Sequence, residues 1–358
     1  MPSGPWMPRI ATISPRRTSF RPQAGNRTFV PCAGRMAFHD FSRKGRIDGM
    51  PWDPRIQALV DRYPVLRAVG NTPLVPVDVL RRELPDVEVF AKMESLNPGG
   101  SLKDRPVLRM LLGALDDGQL KPGKTVLDSS SGNAGIAYAM IGRIIGVPVE
   151  IVIPNNASAE RKKRMLAHGA TLTFTDALLG YDEALREVRR RYEADPDHYF
   201  FCDQYSNQDN WRAHYETTAV EILQQTDGRV THVVVGVGTG GTLTGLGRRL
   251  KEHDPAIQLV CVIPEAFPGV EGLKPLGRAE DIVPAILDEK LIDERVPVSV
   301  DEAYRMCVRL AGAGLFVGQS SGAYMAGVER IARRLGRGRF VTLFNDIGER
   351  YFSTRLWD

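Results

Sequence analysis

Ser95-Leu96-Asn97-Pro98-Gly99-Gly100-Ser101-Leu102-Lys103-Asp104-Arg105 decides how this 358-residue chain is read. Asn97 to Gly100 form a turn cluster that ends the apolar run Val87–Met93. A segment of helical period, Val107–Leu115, follows. Lys103 therefore stands where strand and turn hand over to a helix, and the unpaired N–H groups of a helix start favour anions. Alone, a lysine in a polar turn is ordinarily solvated. Two glycine-rich turns downstream change that reading: Ser130-Ser131-Gly132-Asn133-Ala134-Gly135 and Gly236-Val237-Gly238-Thr239-Gly240-Gly241-Thr242.

Outward from these turns, short apolar runs alternate with helical periods. The runs are Val87–Met93, Thr125–Leu127, Val149–Ile153, Thr171–Phe174, Thr231–Val237, Gln258–Ile263 and Phe340–Phe344. Helical periods cover Asn133–Ile145, Ala159–His168, Tyr181–Tyr192, Trp211–Leu223, Thr242–Glu252, Val300–Leu310 and Gly322–Leu335. Pro51–Val65 reads as a helical lead-in, and Gly70-Asn71-Thr72-Pro73-Leu74 as a turn into a strand. Such alternation predicts an α/β protein with mainly parallel sheets, covered by helices on both faces. The polar stretch Cys202–Asn210 is the expected crossing between domains.

Length suits two domains of ordinary size. Hydrophobic content of 43% and charged content of 25% are those of a globular protein, with no apolar run long enough for a bilayer. Cys32, Cys202, Cys261 and Cys307 make no C-x-x-C pair and no metal-ligand spacing, which predicts free thiols in a reducing, cytoplasmic setting and no metal. The net charge of +4 is uneven. Residues 1–50 carry eight arginines and Lys44 against Asp40 and Asp48, a net +7, so the remainder is near −3. The basic pI thus reports the extension, and neither nucleic acid nor membrane is an expected partner. That extension is rich in Pro, Ser, Arg and Gly and is expected to be disordered. A transit peptide, or an upstream start with Met36 or Met50 as the true one, would each account for it. Cys32 and His39 could suggest a haem site, but their flanking pattern argues against one.

The three turns together make the chain resemble the fold-type II pyridoxal-phosphate enzymes, specifically the cysteine synthase (O-acetylserine sulfhydrylase) and cystathionine β-synthase family, from about Val69 to Thr354. The resemblance implies a two-domain, tryptophan synthase β-like fold. The expected divisions are the 1–50 extension, a 51–94 lead-in packed on the C-terminal domain, an N-terminal domain 95–204 and a C-terminal domain 205–358. By resemblance, Lys103 in Ser101-Leu102-Lys103-Asp104 forms the Schiff base and moves the Cα proton. Gly238, Thr239, Gly240, Gly241 and Thr242 cradle the phosphate, with helix-start dipole in support. Taken alone, such a loop could hold a nucleotide, but no acidic residue about 20 positions on ends the next strand, Gln258–Ile263. Asn133, thirty residues after the lysine, holds the ring hydroxyl. Ser130, Ser131, Gly132 and Ala134 of the same turn, with Gln204, take the substrate carboxylate. Ser130 and Ala134 stand where threonines are usual, and Ala134 lacks the hydroxyl.

Ser320, opening Ser320–Ala323, pairs with the pyridine nitrogen by the same resemblance, although an N-cap serine would look alike. A neutral partner there favours β-elimination. Asp346-Ile347-Gly348-Glu349-Arg350-Tyr351-Phe352-Ser353-Thr354 matches a family stretch that supports the ring. Tyr199–Thr218 and Glu271-Gly272-Leu273-Lys274 look most like bacterial cysteine synthases of the B type. The expected activity is β-replacement on O-acetyl-L-serine by sulfide, through an aminoacrylate, giving L-cysteine. Alternatives are cystathionine formation, an O-phosphoserine substrate, or a silent partner protein of the same fold. Expected partners are the amino-acid substrate, a sulfur donor, a second copy in a homodimer, and serine acetyltransferase or a sulfur-carrier protein. Since the sequence ends at Asp358, no C-terminal regulatory module is expected. The loop Pro264–Lys274 offers Glu265 and Glu271 against Lys274, so its carboxylates are expected to repel an O-phosphoserine phosphate.

Overall fold

The structure is a computed structural model that describes residues 52–130, 132–176, 180–266, 269–276 and 283–357. The basic extension with Cys32 and His39, and also Ser131, lie outside the described residues. Among those described, the chain runs α1 (Pro54–Arg62), β1 (Leu74–Pro76), β2 (Val87–Met93), α2 (Asp104–Asp116), β3 (Thr125–Ser129), α3 (Asn133–Ile145), β4 (Val149–Pro154), α4 (Ala159–Ala167) and β5 (Thr171–Thr175). It continues through α5 (Gly180–Ala194), β6 (Tyr199–Phe201), α6 (Gln208–Ala213), α7 (Ala219–Gln225), β7 (His232–Gly236), α8 (Gly241–His253) and β8 (Gln258–Pro264). It closes with β9 (Glu294–Val298), α9 (Val300–Ala311), α10 (Gln319–Leu335) and β10 (Gly338–Phe344).

Two sheets result. The larger is ordered β1-β2-β10-β7-β8-β9 and the smaller β5-β4-β3-β6. Every pairing is parallel except β1 with β2. Parallel neighbours need crossover helices, which cover the faces. Strand β4 is accordingly buried along its whole length, and β7 and β10 nearly so. One apolar core surrounds the larger sheet with α8, α9 and α10, and another joins α1, α2 and α3 to the smaller sheet.

Strand order places the functional residues. In the larger sheet the chain moves outward from β7 through β8 to β9, then returns on the other side of β7 as β10. In the smaller sheet it moves from β3 through β4 to β5, then returns beside β3 as β6. Each reversal opens a crevice at the carboxyl ends of the strands, the ordinary ligand position in open α/β sheets.

Two local expectations need correction, and one alternative reading falls away. Trp211–Leu223 is not one uniform α-helix: a π-helical turn, His214–Thr218, separates α6 from α7. The Thr217 hydroxyl donates to the Ala213 carbonyl at 2.6 Å, a local bond that competes with regular winding. Strand β5 is an edge rather than a covered strand, and Phe174 on it is half exposed. Ser320–Ala323 is the first turn of α10, whose N-cap is Gly318, so Ser320 is not a capping serine.

Candidate active site

The turn before Lys103 is stitched from both sides. The Asn97 side chain donates to the Glu94 and Ser101 carbonyls at 2.9 and 3.1 Å and accepts from Gly70 N–H at 2.7 Å. Leu102 N–H donates to the Asn345 carbonyl at 2.9 Å, tying the turn to the end of β10. Asp104 is buried, accepts from Gly99 N–H, and is pushed up to about 7 by burial. Arg105 is wholly buried, forked onto Glu94 at 2.7 and 2.9 Å and onto Glu221 at 2.5 and 2.7 Å. Lys92 of β2 completes this quartet on Glu221 at 2.5 Å. Two cations and two carboxylates thus close a neutral cluster that anchors the start of α2. Lys103 itself meets no hydrogen-bond or ion-pair partner for its amine among the described residues. Burial lowers its pKa to about 8, opposed only by the nearby Asp128.

The amine opens into a cavity of about 770 Å³. Across it, β7 runs into the glycine loop and α8. Gly240 has φ +86°, and a Cβ on Gly241 would stand 2.0 Å from Asn210 Oδ1, so the backbone here admits only glycine. Thr239 accepts from Asn210 Nδ2 at 3.1 Å. Thr242 shares a 3.2 Å hydrogen bond with Nε2 of His214, which lies in the π-helical turn. Burial pushes His214 down to about 3, so its ring is neutral at physiological pH.

Strands β3 and β6 of the smaller sheet supply the opposite wall. The Ser130 hydroxyl accepts from the amides of Gly132 and Gly135 at 3.2 and 2.9 Å, shaping the turn before α3. Gly132, Asn133 and Ala134 line the cavity. Asn133 donates to Asp346 at 2.8 Å and accepts from Arg350. Gln204 also lines the cavity, and its side chain donates to the Ser129 carbonyl at 2.9 Å. Its backbone N–H donates to Asp128, whose pKa burial pushes to about 7.

At the end of β10, Asn345 donates to Ser320 Oγ at 2.9 Å, while its own Oδ1 is buried without a partner among the described residues. Asp346 accepts from Tyr351 at 2.8 Å as well as from Asn133. Of the sequence-predicted site residues among those described, all but Gly241, the first residue of α8, line one cavity. Several residues around them were not anticipated: Arg105, Arg161, Asn210, His214 and Asn345. Of these, Arg105, Asn210 and His214 lie inside motif stretches quoted from the sequence and Asn345 adjoins one, whereas Arg161 belongs to no such motif.

The loop after β8 also differs from expectation. Glu271 pairs with Arg161 of α4, and Lys274 sits 5.0 Å from the centre of the Tyr205 ring. Among the described residues, the charged side chains lining the cavity are Lys103, Arg161, Glu271, Lys274 and Arg355. Glu271 is thus matched to a cation, and cations outnumber carboxylates.

A family model described as pyridoxal-phosphate dependent enzyme matches residues 65–346. The chain is 48% identical over 304 residues to a cysteine synthase of Aquifex aeolicus, covering 83% of this chain and 92% of that one. It is 38% identical over 299 residues to a cysteine synthase B of Pseudomonas aeruginosa, covering 83% and 98%. A crystal structure of a cysteine synthase from Entamoeba histolytica superimposes with a TM-score of 0.76 at 34% identity, covering 82% of this chain and 90% of that one.

Proposed function

The chain belongs to the pyridoxal-phosphate dependent enzymes, and on that premise we propose that it makes L-cysteine from O-acetyl-L-serine and sulfide. The observation that carries the reading is the convergence on one cavity of a half-buried lysine amine with no partner among the described residues, a glycine loop at a helix start, and a neutral Ser320–Asn345 pair. These residues fit pyridoxal 5'-phosphate. When bound, the cofactor supplies the electron sink that makes the substrate Cα–H acidic and the Cβ substituent a leaving group.

Lys103 would hold the cofactor through its amine. The backbone N–H groups of Gly238 to Gly241, with Thr239 and Thr242, would hold the phosphate. Asn133 would take the ring hydroxyl, and Ser320 with Asn345 the ring nitrogen. Gly132, Ala134, Ser130, Ser131 and Gln204 would orient the substrate carboxylate. Near neutrality a useful fraction of a pKa 8 amine is free base, so Lys103 can take the Cα proton and later return it. The expected repulsion of phosphate by loop carboxylates needs a different basis, because Glu271 is paired.

We also read the body as domains 95–204 and 205–358, preceded by the 51–94 lead-in and the 1–50 extension. We further read the protein as a cytoplasmic homodimer, with serine acetyltransferase or a sulfur-carrier protein as partner. No helix of the described residues is long and apolar enough to cross a membrane, and three thiols are buried and free. The test is cysteine formation from O-acetylserine and sulfide, combined with borohydride reduction and peptide mapping of the holoenzyme. Cysteine production and a label on Lys103 are expected. No product, or a label on another lysine, overturns the reading.

A further inference from the structure

Arg161 and Glu271 carry an inference that the motifs do not. Arg161 lies on α4, beyond β4 of the smaller sheet, and Glu271 lies in the loop after β8 of the larger one. They pair in the lining of the cavity. The arginine is a built feature. Its side chain is 4% exposed, its guanidinium stands 5.2 Å from the centre of the Tyr351 ring, and its Nε–H is buried with no partner among the described residues. It also flanks the substrate turn, since a Cβ on Gly132 would lie 3.8 Å from its Cζ. Glu271 is held from the other side by its backbone N–H, which donates to Gln319 Oε1 at 3.2 Å, next to Ser320.

A buried guanidinium beside a substrate turn suits a phosphate or carboxylate, which it binds in a fork. Here a side chain of the protein already occupies that position. We propose that Glu271 is a specificity-determining residue. By neutralising Arg161, it withholds the cation that a β-substituent already charged in the bound ester would need, and so sets the cavity for serine esters that carry no charge there. The inference rests on the proposed reading of the reaction and gives O-acetylserine its preference by occupancy rather than by open repulsion. Lys274 does not replace Arg161 in this role, because its amine lies over the Tyr205 ring.

Two measurements on the holoenzyme test it. The first is calorimetric affinity for inorganic phosphate in the wild type, Glu271→Gln and Glu271→Gln/Arg161→Met. Removing the carboxylate should tighten phosphate at least tenfold, and removing Arg161 as well should abolish the gain. The second is the ratio of kcat/KM for O-phosphoserine and O-acetylserine, which should shift toward the phosphate ester by at least tenfold in Glu271→Gln alone. Unchanged phosphate affinity in Glu271→Gln, or a gain that survives the loss of Arg161, overturns the inference. A wild type that makes no cysteine overturns the reading of the reaction, and the phosphate affinities still decide the role of the pair.

Discussion

Lys103 shows how one residue's chemistry follows from its surroundings. A lysine in water titrates near 10.4. Burial at the start of α2 brings this one to about 8, because a charged amine loses hydration there and only Asp128 compensates. The sign is that of a base: its reactive, uncharged fraction grows as pH rises through about 8. In cofactor-free protein, amine-selective acylation of Lys103 should therefore follow an apparent pKa near 8, read by peptide mapping across pH 6 to 10. Labelling that stays low until pH 10 would contradict the assigned environment. The motif residues were legible because turn chemistry is local: Lys103, Asn133 and the cradle glycines each sit in a recognisable run of neighbours. Their partners were not. Asn345 lies 25 residues from Ser320, His214 lies 28 from Thr242, and Glu271 lies 110 from Arg161. No sequence period carries such information.

Helix α2 illustrates the next scale. Its apolar period was readable, but the charge at its first turn was not expected to be interior. Arg105 is fully buried between Glu94, at the end of β2, and Glu221 on α7. The helix start is thereby fixed to elements far away in sequence. Replacing one member leaves buried charge unmatched, which costs about 3–5 kcal/mol. Arg105→Met should lower the melting temperature sharply and impair cofactor retention, since Lys103 is two residues away. A melting temperature within a degree or two of wild type would show that the quartet is dispensable. The π-helical turn between α6 and α7 was likewise hidden, because a threonine back-bond leaves no mark on hydrophobic spacing. Edge strands were hardest to place. Strand β9 reads Glu-Arg-Val-Pro-Val, whose exposed positions and proline mimic a loop.

For the whole molecule, alternation of strand and helix made the α/β class and parallel pairing legible, while strand order stayed hidden. The positions of β10 beside β7 and of β6 beside β3 depend on packing between distant segments. The composition of residues 1–50 offers little apolar surface to bury, and burial is what offsets the entropy of ordering. A chain beginning at Met50 should therefore keep both its melting temperature and its turnover; a large loss of either would assign the extension a structural role. The division of labour around the cavity has a longer consequence. Lys103, the glycine cradle and Ser320 occupy turns that follow β2 and β7 and the start of α10, whereas Arg161 and Glu271 follow β4 and β8. Natural selection can therefore retune which serine ester is accepted by exchanging residues on α4 and on the loop after β8, while the machinery shared by all such reactions is inherited unchanged elsewhere.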